Sequence, residues 1–409
     1  MNSDAFISAI GRLVARLTRL RGGHGSAFPG RVVEKLSPRF LERVLAQLSR
    51  GVVIISATNG KTTTTKMTTE LLRAAGLKVL TNDSGSNFAR GVTSAAIFQM
   101  KRGKLDADIA VVELDEAHAA RFAHEICAPS YAGLLNVSPD QLDRFGDLDT
   151  IAGLLGEVAA EVTGTCVLNA NDTRLTKLVD VVKDPPAWFG YADELRELFC
   201  GEQRSAHAQR SSGAMITLLA FADGRAAYEI DGQRYEIDLA AGGSYNALNG
   251  AAALSLARAI LGSDFDAQRA VDALSRIQPA YGRGETFTVA GKRVHLNLCK
   301  NPVSFFMSIN SSDASLPTLI SVNNTEADGV DIGWYYEVDF SGFAGNGRMF
   351  TSGSCAREMA ARLADDGIEG VQAETDIAAS LKEFLACDAD ELQILAGYSA
   401  MLTIRELLK

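Results

Sequence analysis

Two kinds of hydrophobic pattern alternate through the first two-thirds of the chain. Short, continuous apolar runs are typical of strands buried on both faces, and each run is followed by a stretch whose apolar residues recur at helical spacing. The strand candidates are VVIISA (52–57), IAVVEL (109–114), YAGLLNV (131–137) and CVLNA (166–170). This alternation predicts an α/β fold in which helices flank a mostly parallel sheet.

The pattern is less regular between residues 184 and 225, where Pro185-Pro186 marks a break. The end of this region, MITLLAF (215–221), is β-prone. AAYEIDGQRYEID (226–238) is β-prone too, and its Asp231-Gly232 pair predicts a hairpin turn. An alanine-rich helical pattern then covers residues 246–261.

A second α/β unit is predicted beyond PAYGRGE (279–285), which has the composition of a linker. There the strand candidates RVHLNL, TLISVN and LQILAG again alternate with helical patterns such as AREMAARLADDG. We therefore expect an N-terminal helical and glycine-rich segment (1–48), a central domain (49–283) and a smaller C-terminal α/β domain (284–409).

The N-terminal residues predict an amphipathic helix. Arg12, Arg16 and Arg19 interrupt the apolar run that a signal peptide would need. We expect the apolar stripe of this helix to pack on the protein, with at most peripheral contact with an anionic membrane surface. No segment approaches the roughly 20 apolar residues of a membrane span. We therefore expect a cytoplasmic protein that is at most bound to the inner face of the membrane.

Composition narrows the classes of function. The 409 residues carry a net charge of −10, which argues against nucleic-acid binding, because phosphate backbones attract clustered Lys and Arg. The six cysteines are scattered and form no C-x-x-C pair. We therefore expect reduced thiols and neither a redox pair nor a zinc ribbon.

The string T-N-G-K-T-T (58–63) follows a predicted buried strand and opens a predicted helix. In that position backbone N–H groups and a helix N-terminus can face an anion. Gly60 allows close approach, Lys61 can reach the β- and γ-phosphates, and a threonine hydroxyl can hold Mg²⁺. Ile55 stands where the common G-x-x-x-x-G-K-[ST] motif has its first glycine. The string alone therefore leaves an ordinary strand–helix turn as an equal alternative.

A-T-N-G-K-T-T-T (57–64) resembles the ATP loop of the Mur ligases and folylpolyglutamate synthases, which join amines to carboxylates through an acyl phosphate. The resemblance implies a Mur ligase-like central P-loop domain that uses ATP and Mg²⁺. The nucleotide contacts it implies within the loop are Thr58, Asn59, Gly60, Lys61, Thr62 and Thr63.

Further matches occur in the order the family has them. Glu113, at the end of a predicted strand, falls where the family places a glutamate that binds Mg²⁺, together with Thr62. The resemblance implies that Asn246 hydrogen-bonds adenine and that Arg283 matches an arginine that reaches the ATP phosphates from the domain junction. Gln141 replaces a histidine that often touches a second metal ion, so the number of Mg²⁺ ions stays open.

Several segments resemble one branch of these ligases, the MurT family of synthetase subunits. They include GGHGSAFPG (22–30), TNDSGSN (81–87), DQLDRFG (140–146), ADGVDIGW (327–334) and GYSAML (397–402). LCKNP (298–302) stands where peptide-adding Mur ligases carry an Asp–His pair. The resemblance implies ATP-dependent amidation of the α-carboxylate of D-isoglutamate in the lipid II stem peptide, giving D-isoglutamine.

The resemblance also implies a partner. No glutaminase signature surrounds any cysteine, so ammonia must come from elsewhere. The resemblance implies that its source is a GatD-type class I glutaminase subunit. Either Asp328 or Asp331 would orient the catalytic histidine of that partner, and the sequence does not choose between them. The implied catalytic residues are thus Lys61, Glu113 and one of these aspartates.

One departure from the branch concerns zinc. Many MurT proteins carry a four-cysteine zinc ribbon in the central domain, whereas Cys200 stands alone here. One thiolate cannot form a tetrahedral structural site, so we expect no structural zinc and a degenerate remnant in region 184–225.

Two alternative functions stay open. A folylpolyglutamate synthase-like ligase would share the loop but use an amino acid in place of ammonia. A non-catalytic Mur-like scaffold subunit would keep the fold without turnover.

Overall fold

The structure is a computed structural model. It describes residues 3–20, 28–82, 89–138, 147–199, 215–279, 282–310, 312–325, 328–329 and 332–409. Helices and strands are numbered in chain order over these residues.

The N-terminal segment and the central domain contain most of the helices. They are α1 (Ser3–Leu20), α2 (Phe28–Leu36), α3 (Phe40–Leu45), α4 (Lys61–Ala74), α5 (Ala89–Gln99), α6 (Glu116–Glu125), α7 (Leu148–Glu161), α8 (Thr173–Thr176), α9 (Ser244–Leu261) and α10 (Ala267–Leu274). The strands of this part are β1 (Val52–Ser56), β2 (Val79–Thr81), β3 (Met100–Lys101), β4 (Lys104–Leu105), β5 (Ile109–Glu113), β6 (Tyr131–Leu134), β7 (Thr165–Asn169), β8 (Ala187–Tyr191), β9 (Met215–Ala222), β10 (Arg225–Ile230) and β11 (Gln233–Asp238).

The strands predicted from continuous apolar runs are confirmed as β1, β5, β6 and β7. They lie inside a nine-stranded sheet of order β11-β10-β9-β8-β7-β6-β1-β5-β2. Along this order, each neighbouring pair from β2 through β5, β1, β6, β7 and β8 to β9 is parallel. The pairs β9–β10 and β10–β11 are antiparallel. The order reverses direction at β1, and ligands of open α/β sheets bind at such a switch point, beyond the carboxyl ends of the strands.

Region 184–225 contains more regular structure than its sequence suggested. β8 follows directly after Pro185-Pro186, and it forms because Trp188 and Phe189 bury their rings in the two cores on either side of the sheet. The predicted hairpin is confirmed, since Ile230 pairs with Gln233 across Asp231 and Gly232. Both turn residues have positive φ, as a two-residue hairpin of this type requires.

The C-terminal domain is a second α/β unit. Its elements are β12 (Arg283–Val289), β13 (Lys292–Leu298), α11 (Pro302–Asn310), β14 (Thr318–Ser321), β15 (Met349–Ser352), α12 (Ala356–Asp365), β16 (Gln372–Glu374), α13 (Ile377–Leu385), β17 (Glu391–Ala396) and α14 (Tyr398–Leu407). The sheet has the order β12-β13-β17-β14-β15-β16, and only the β12–β13 pair is antiparallel.

The start of this domain is fixed by Glu285. Its carboxylate accepts hydrogen bonds from Arg405 on α14, at 2.9 Å, and from the backbone amide of Gly282, at 2.8 Å. Burial alone would raise the pKa of Glu285, but these donors lower the pKa below its ordinary value. The carboxylate is therefore ionised at neutral pH and ties the segment before β12 to the last helix.

Helix α1 packs on α2 and α5 through a face of small and polar residues. Ser8, Gly11 and Ala15 are buried on this face, whereas Phe6 and Leu13 are 51% and 57% exposed. The expectation that the apolar stripe packs on the protein therefore holds only in part, because Ile7 contacts the core whereas Phe6 and Leu13 face solvent. The reason is steric, because a Cβ on Gly11 would lie 2.9 Å from the Ile97 side chain. Only small residues fit this contact.

Within the described residues, no helix combines the length and the apolar character that crossing a membrane would require.

Candidate functional site

The site is built around the loop between β1 and α4, at the switch point of the larger sheet. Ile55, near the end of β1, pairs with Glu113 at the end of β5. Gly60 has φ +87°, a left-handed conformation that favours glycine, and α4 begins at the next residue, Lys61. The loop therefore points the N-terminus of α4 into the crevice at the carboxyl edge, where an anion is stabilised.

Asn136 fixes the shape of this loop. It lies just beyond β6, and its backbone carbonyl accepts from the Thr58 amide at 3.2 Å. Its side-chain Oδ1 accepts from the Asn59 amide, and its Nδ2 donates to the Asn59 carbonyl, both at 2.9 Å. These three hydrogen bonds tie the backbone of the loop to the end of β6.

Two features of the loop fit a nucleotide phosphate. A Cβ on Gly60 would lie 2.4 Å from Oδ1 of Asn249 on α9, so only glycine fits between the helix and the crevice. The Nδ2 of Asn59 is buried and has no hydrogen-bond partner among the described residues. A buried donor without a partner costs stability unless a ligand or water accepts from it.

Lys61 lies in an acidic environment. It is 7% exposed, and its Nζ donates to the carbonyl of Ala57 at 2.5 Å and lies 3.1 Å from Asp115 and 3.9 Å from Glu116. Burial alone would lower the pKa of Lys61, but the charges of Glu116, Asp115 and Glu113 raise it above its ordinary value. Lys61 therefore keeps its positive charge at neutral pH. Sequence analysis assigned no role to Asp115 or Glu116, because no local pattern indicated their contact with Lys61.

Thr62 and Glu113 are brought together as the sequence predicts. The Thr62 hydroxyl donates to Oε1 of Glu113 at 2.8 Å. Asn82, just beyond β2, holds the backbone of Glu113 with both side-chain atoms, at 2.8 and 2.9 Å. Two hard oxygen ligands at one point, facing a phosphate site, fit Mg²⁺, which usually takes one or two protein oxygens together with phosphates and water.

The described residues contain no cluster of three or more His, Cys, Asp or Glu that could hold a metal ion. Cys200, the residue on which the zinc expectation depends, lies outside the described residues, as does Gln141. The cysteines at 127, 166, 299, 355 and 387 are free thiols.

The predicted adenine side of the site lies at the domain junction. The Nδ2 of Asn246 donates to the carbonyl of Ala241 at 3.0 Å and lies 3.8 Å from where a Cβ on Gly284 would stand. The backbone of Arg283 opens β12 beside Asn297, but its side chain is outside the described part of the structure. Asn246 therefore lies next to the segment that carries Arg283.

The C-terminal domain touches the loop directly. The Nδ2 of Asn301 donates to Oδ1 of Asn59 at 3.1 Å, and the Nζ of Lys300 lies 3.4 Å from the carbonyl of Thr58. Asn301 is only 2% exposed, and its Oδ1 caps the start of α11 by accepting from Ser304. The carboxyl ends of β1 and β13 therefore meet at this point. The sequence analysis assigned no role to Lys300 or Asn301, although both belong to the LCKNP segment (298–302) that it singled out.

Asp328 is engaged in holding the last helix. Its Oδ1 accepts from the Ser399 amide at 2.8 Å, and its Oδ2 accepts from the hydroxyls of Ser399 and Thr325. Ser399 lies in the first turn of α14, where a carboxylate is favoured. Asp331, the other candidate, lies outside the described residues.

Comparisons with known proteins cover almost the whole chain. Residues 55–257 match the family model of the Mur ligase middle domain, and residues 298–401 match the model named MurT ligase C-terminal. The chain is similar to the lipid II isoglutaminyl synthase (glutamine-hydrolyzing) subunit MurT of Streptococcus pneumoniae, with 31% identity over 96% of this chain and 94% of that protein. The MurT subunit of Staphylococcus aureus is 26% identical over 87% of this chain and 86% of that protein.

Solved structures agree on the fold. MurF ligase from Thermotoga maritima, in complex with ADP, has a TM-score of 0.69 and 18% identity over 92% of this chain and 82% of that chain. Folylpolyglutamate synthase from Mycobacterium tuberculosis has a TM-score of 0.60 and 16% identity over 90% of this chain and 93% of that chain. The predicted α/β, Mur ligase-like fold is thereby confirmed.

Gly60→Ala should weaken nucleotide binding by about tenfold or more, because the new Cβ meets Asn249 and strains a left-handed residue. Gly76→Ala is the matched control, since Gly76 also has positive φ but no atom lies within 4 Å of the place where its Cβ would stand. Isothermal titration with a non-hydrolysable ATP analogue measures both. Equal affinities in the two variants would show that Gly60 does not shape a nucleotide site.

Proposed function

The chain belongs to the MurT family, and from this premise we propose that it uses ATP to amidate a carboxylate of the lipid II stem peptide. The substrate group is the α-carboxylate of D-isoglutamate, and the product is D-isoglutamine. A GatD-type glutaminase subunit supplies the ammonia. The observation that carries the proposal is the phosphate loop at the sheet switch point, with Lys61 behind it and Asn301 of the second domain bonded to it.

In the first step, a carboxylate oxygen attacks the γ-phosphorus of ATP, the bond to the β,γ-bridging oxygen breaks, and ADP leaves. Positioning and charge stabilisation are most of what this transfer requires. Lys61 and the first turn of α4 stabilise the β- and γ-phosphate oxygens, and Arg283 is assigned to the same task. Thr62 and Glu113 would hold Mg²⁺, which offsets negative charge on the transferring group.

The second domain also contributes residues beside the loop. Lys300 lies half-buried beside the loop, and Asn301 joins the loop to α11. A carboxylate substrate bound between the two domains would therefore meet positive charge from both. Bringing the reactants together in this way converts a bimolecular step into one within the complex.

In the second step, ammonia attacks the carbonyl carbon of the acyl phosphate. The C–N bond forms, the bond from carbon to the phosphate oxygen breaks, and inorganic phosphate leaves. A proton from the attacking nitrogen passes to solvent. Ammonia requires a source, and the named relatives are subunits of a glutamine-hydrolyzing synthase, which supports a separate glutaminase as the partner.

Asp331 is the stronger candidate for orienting the catalytic histidine of the partner. Three hydrogen bonds engage the carboxylate of Asp328 inside its own domain. A carboxylate that already caps α14 would lose this contact on turning towards a partner. Asp328 is therefore assigned to positioning the GYSAML segment (397–402), and Asp331 to the partner.

The proposed activity is tested with the chain, its glutaminase partner, lipid II, glutamine and ATP, followed by mass spectrometry of the stem peptide. Amidation should be ATP-dependent, and Glu113→Gln should lower it by roughly 100-fold through loss of charge at the metal ligand. Glu229→Gln, on an exposed position of β10, is the control.

Other outcomes identify the alternatives. Addition of an amino acid in place of ammonia would indicate a folylpolyglutamate synthase-like ligase. An absence of ATP turnover with every substrate would indicate a scaffold subunit. Either result contradicts the proposed function.

The two aspartates are separated by a bypass experiment. Asp331→Asn should lower glutamine-dependent amidation by about 100-fold, while added ammonium salt restores it, because the synthetase site is intact. Asp328→Asn should instead lower the thermal stability of the C-terminal domain, because a charged cap is lost. Full glutamine-dependent activity in Asp331→Asn would remove that residue from the assignment.

A further inference from the structure

Charge is distributed very unevenly along the chain. Residues 1–48 contain eight Arg or Lys and three Asp or Glu, a net charge of +5. Residues 49–409 contain 32 Arg or Lys and 47 Asp or Glu, a net charge of −15. The N-terminal segment is therefore a basic part of an otherwise acidic protein. Such an asymmetry is typical of proteins that meet an anionic surface with one part only.

The solvent face of α1 is apolar. Phe6 and Leu13 stand two turns apart and lie directly opposite the buried residues Ser8, Gly11 and Ala15. An ordinary surface helix turns its apolar stripe inwards. This helix presents two large apolar side chains to solvent, where they are 51% and 57% exposed. The exposed Arg16 follows them on the same side of the helix.

Helix α2 repeats the arrangement beside α1, on which it packs. Phe28 and Leu36 are 49% and 54% exposed, and Arg31 and Lys35 are exposed between them. Glu34, also exposed, is paired with Arg90 at 2.7 Å, so its charge is offset locally. The N-terminal patch is defined here by Phe6, Leu13, Phe28, Leu36, Arg31 and Lys35.

We infer that the N-terminal patch binds the surface of an anionic lipid bilayer. Phe and Leu side chains enter the boundary between headgroups and acyl chains, while Arg and Lys meet the anionic headgroups. The net charge of −15 on the rest of the chain is repelled by the same surface. The molecule would therefore bind in one orientation, with α1 and α2 towards the lipid.

The patch serves the proposed function, on which this inference rests for its biological purpose, because the proposed substrate is anchored in a membrane. A bilayer accounts for the sign of the charge and for the apolar side chains together. Binding at this surface would restrict the search for a lipid-linked substrate to two dimensions.

The test is co-sedimentation of the complex of this chain and its glutaminase with vesicles. One set contains phosphatidylglycerol and phosphatidylcholine in equal parts, and the other contains phosphatidylcholine alone. The patch variant is Phe6→Glu with Leu13→Glu. The matched control is Val181→Glu with Leu407→Glu, which changes side chains of similar exposure, 45% and 49%, outside the patch.

The wild-type and control complexes should sediment with the anionic vesicles and much less with the neutral ones, and added salt should release them. The patch variant should bind about tenfold less. Thermal unfolding checks that it stays folded, as its exposed positions imply. No binding to anionic vesicles, or equal binding by the patch variant, would overturn the inference.

Hydrogen exchange of the backbone amides of α1 shows whether the N-terminal patch binds lipid or the glutaminase subunit. Protection by anionic vesicles supports the inference. Protection by the glutaminase subunit, with no change on adding vesicles, overturns it.

Failure of this inference and failure of the proposed function are distinguishable. The patch variant should amidate detergent-solubilised lipid II at the wild-type rate but act more slowly on lipid II in vesicles. Vesicle binding without any amidation would contradict the proposed function alone. If the patch variant amidated lipid II at the wild-type rate both in detergent and in vesicles, only the bilayer inference would be contradicted.

Discussion

The phosphate loop keeps one shape because Asn59 is hydrogen-bonded from two domains. Asn136 of the larger sheet pairs with its backbone, and Asn301 of the C-terminal domain donates to its side chain. The loop proposed to bind phosphate is therefore also a contact between the domains. A nucleotide in this crevice would touch a surface that both sheets build, so the position of the C-terminal domain and the geometry of the loop are linked.

The electrostatics of the crevice follow from the same arrangement. Lys61 is buried among three carboxylates that keep it charged, and one of these, Glu113, also meets the hydroxyl of Thr62. Around Lys61 the protein thus places three negatively charged carboxylates against the single positive charge of the lysine. The proposed binding of ATP would therefore need additional cations, which a metal ion and the basic residues at the domain junction could supply.

Local pattern was sufficient for the strand–loop–helix unit, because burial of β1, the conformation of Gly60 and the start of α4 depend on adjacent residues. It was insufficient for Asn301, which lies 242 positions from Asn59 and reaches it only through the packing of two domains. The pattern also identified α1 as amphipathic but not which face docks. That choice depends on Gly11 and on the space that Ile97 leaves. The engagement of Asp328 with α14 is likewise a tertiary contact, invisible in the string A-D-G-V-D.

The central claim is that the crevice makes a carboxylate electrophilic by phosphorylating it. Transfer of ¹⁸O from a labelled substrate carboxylate tests this most directly. Amidation through an acyl phosphate predicts that the label appears in inorganic phosphate, detected by mass spectrometry or by the isotope shift in phosphorus NMR. Unlabelled phosphate accompanying amidated product, or label in AMP, would contradict the account.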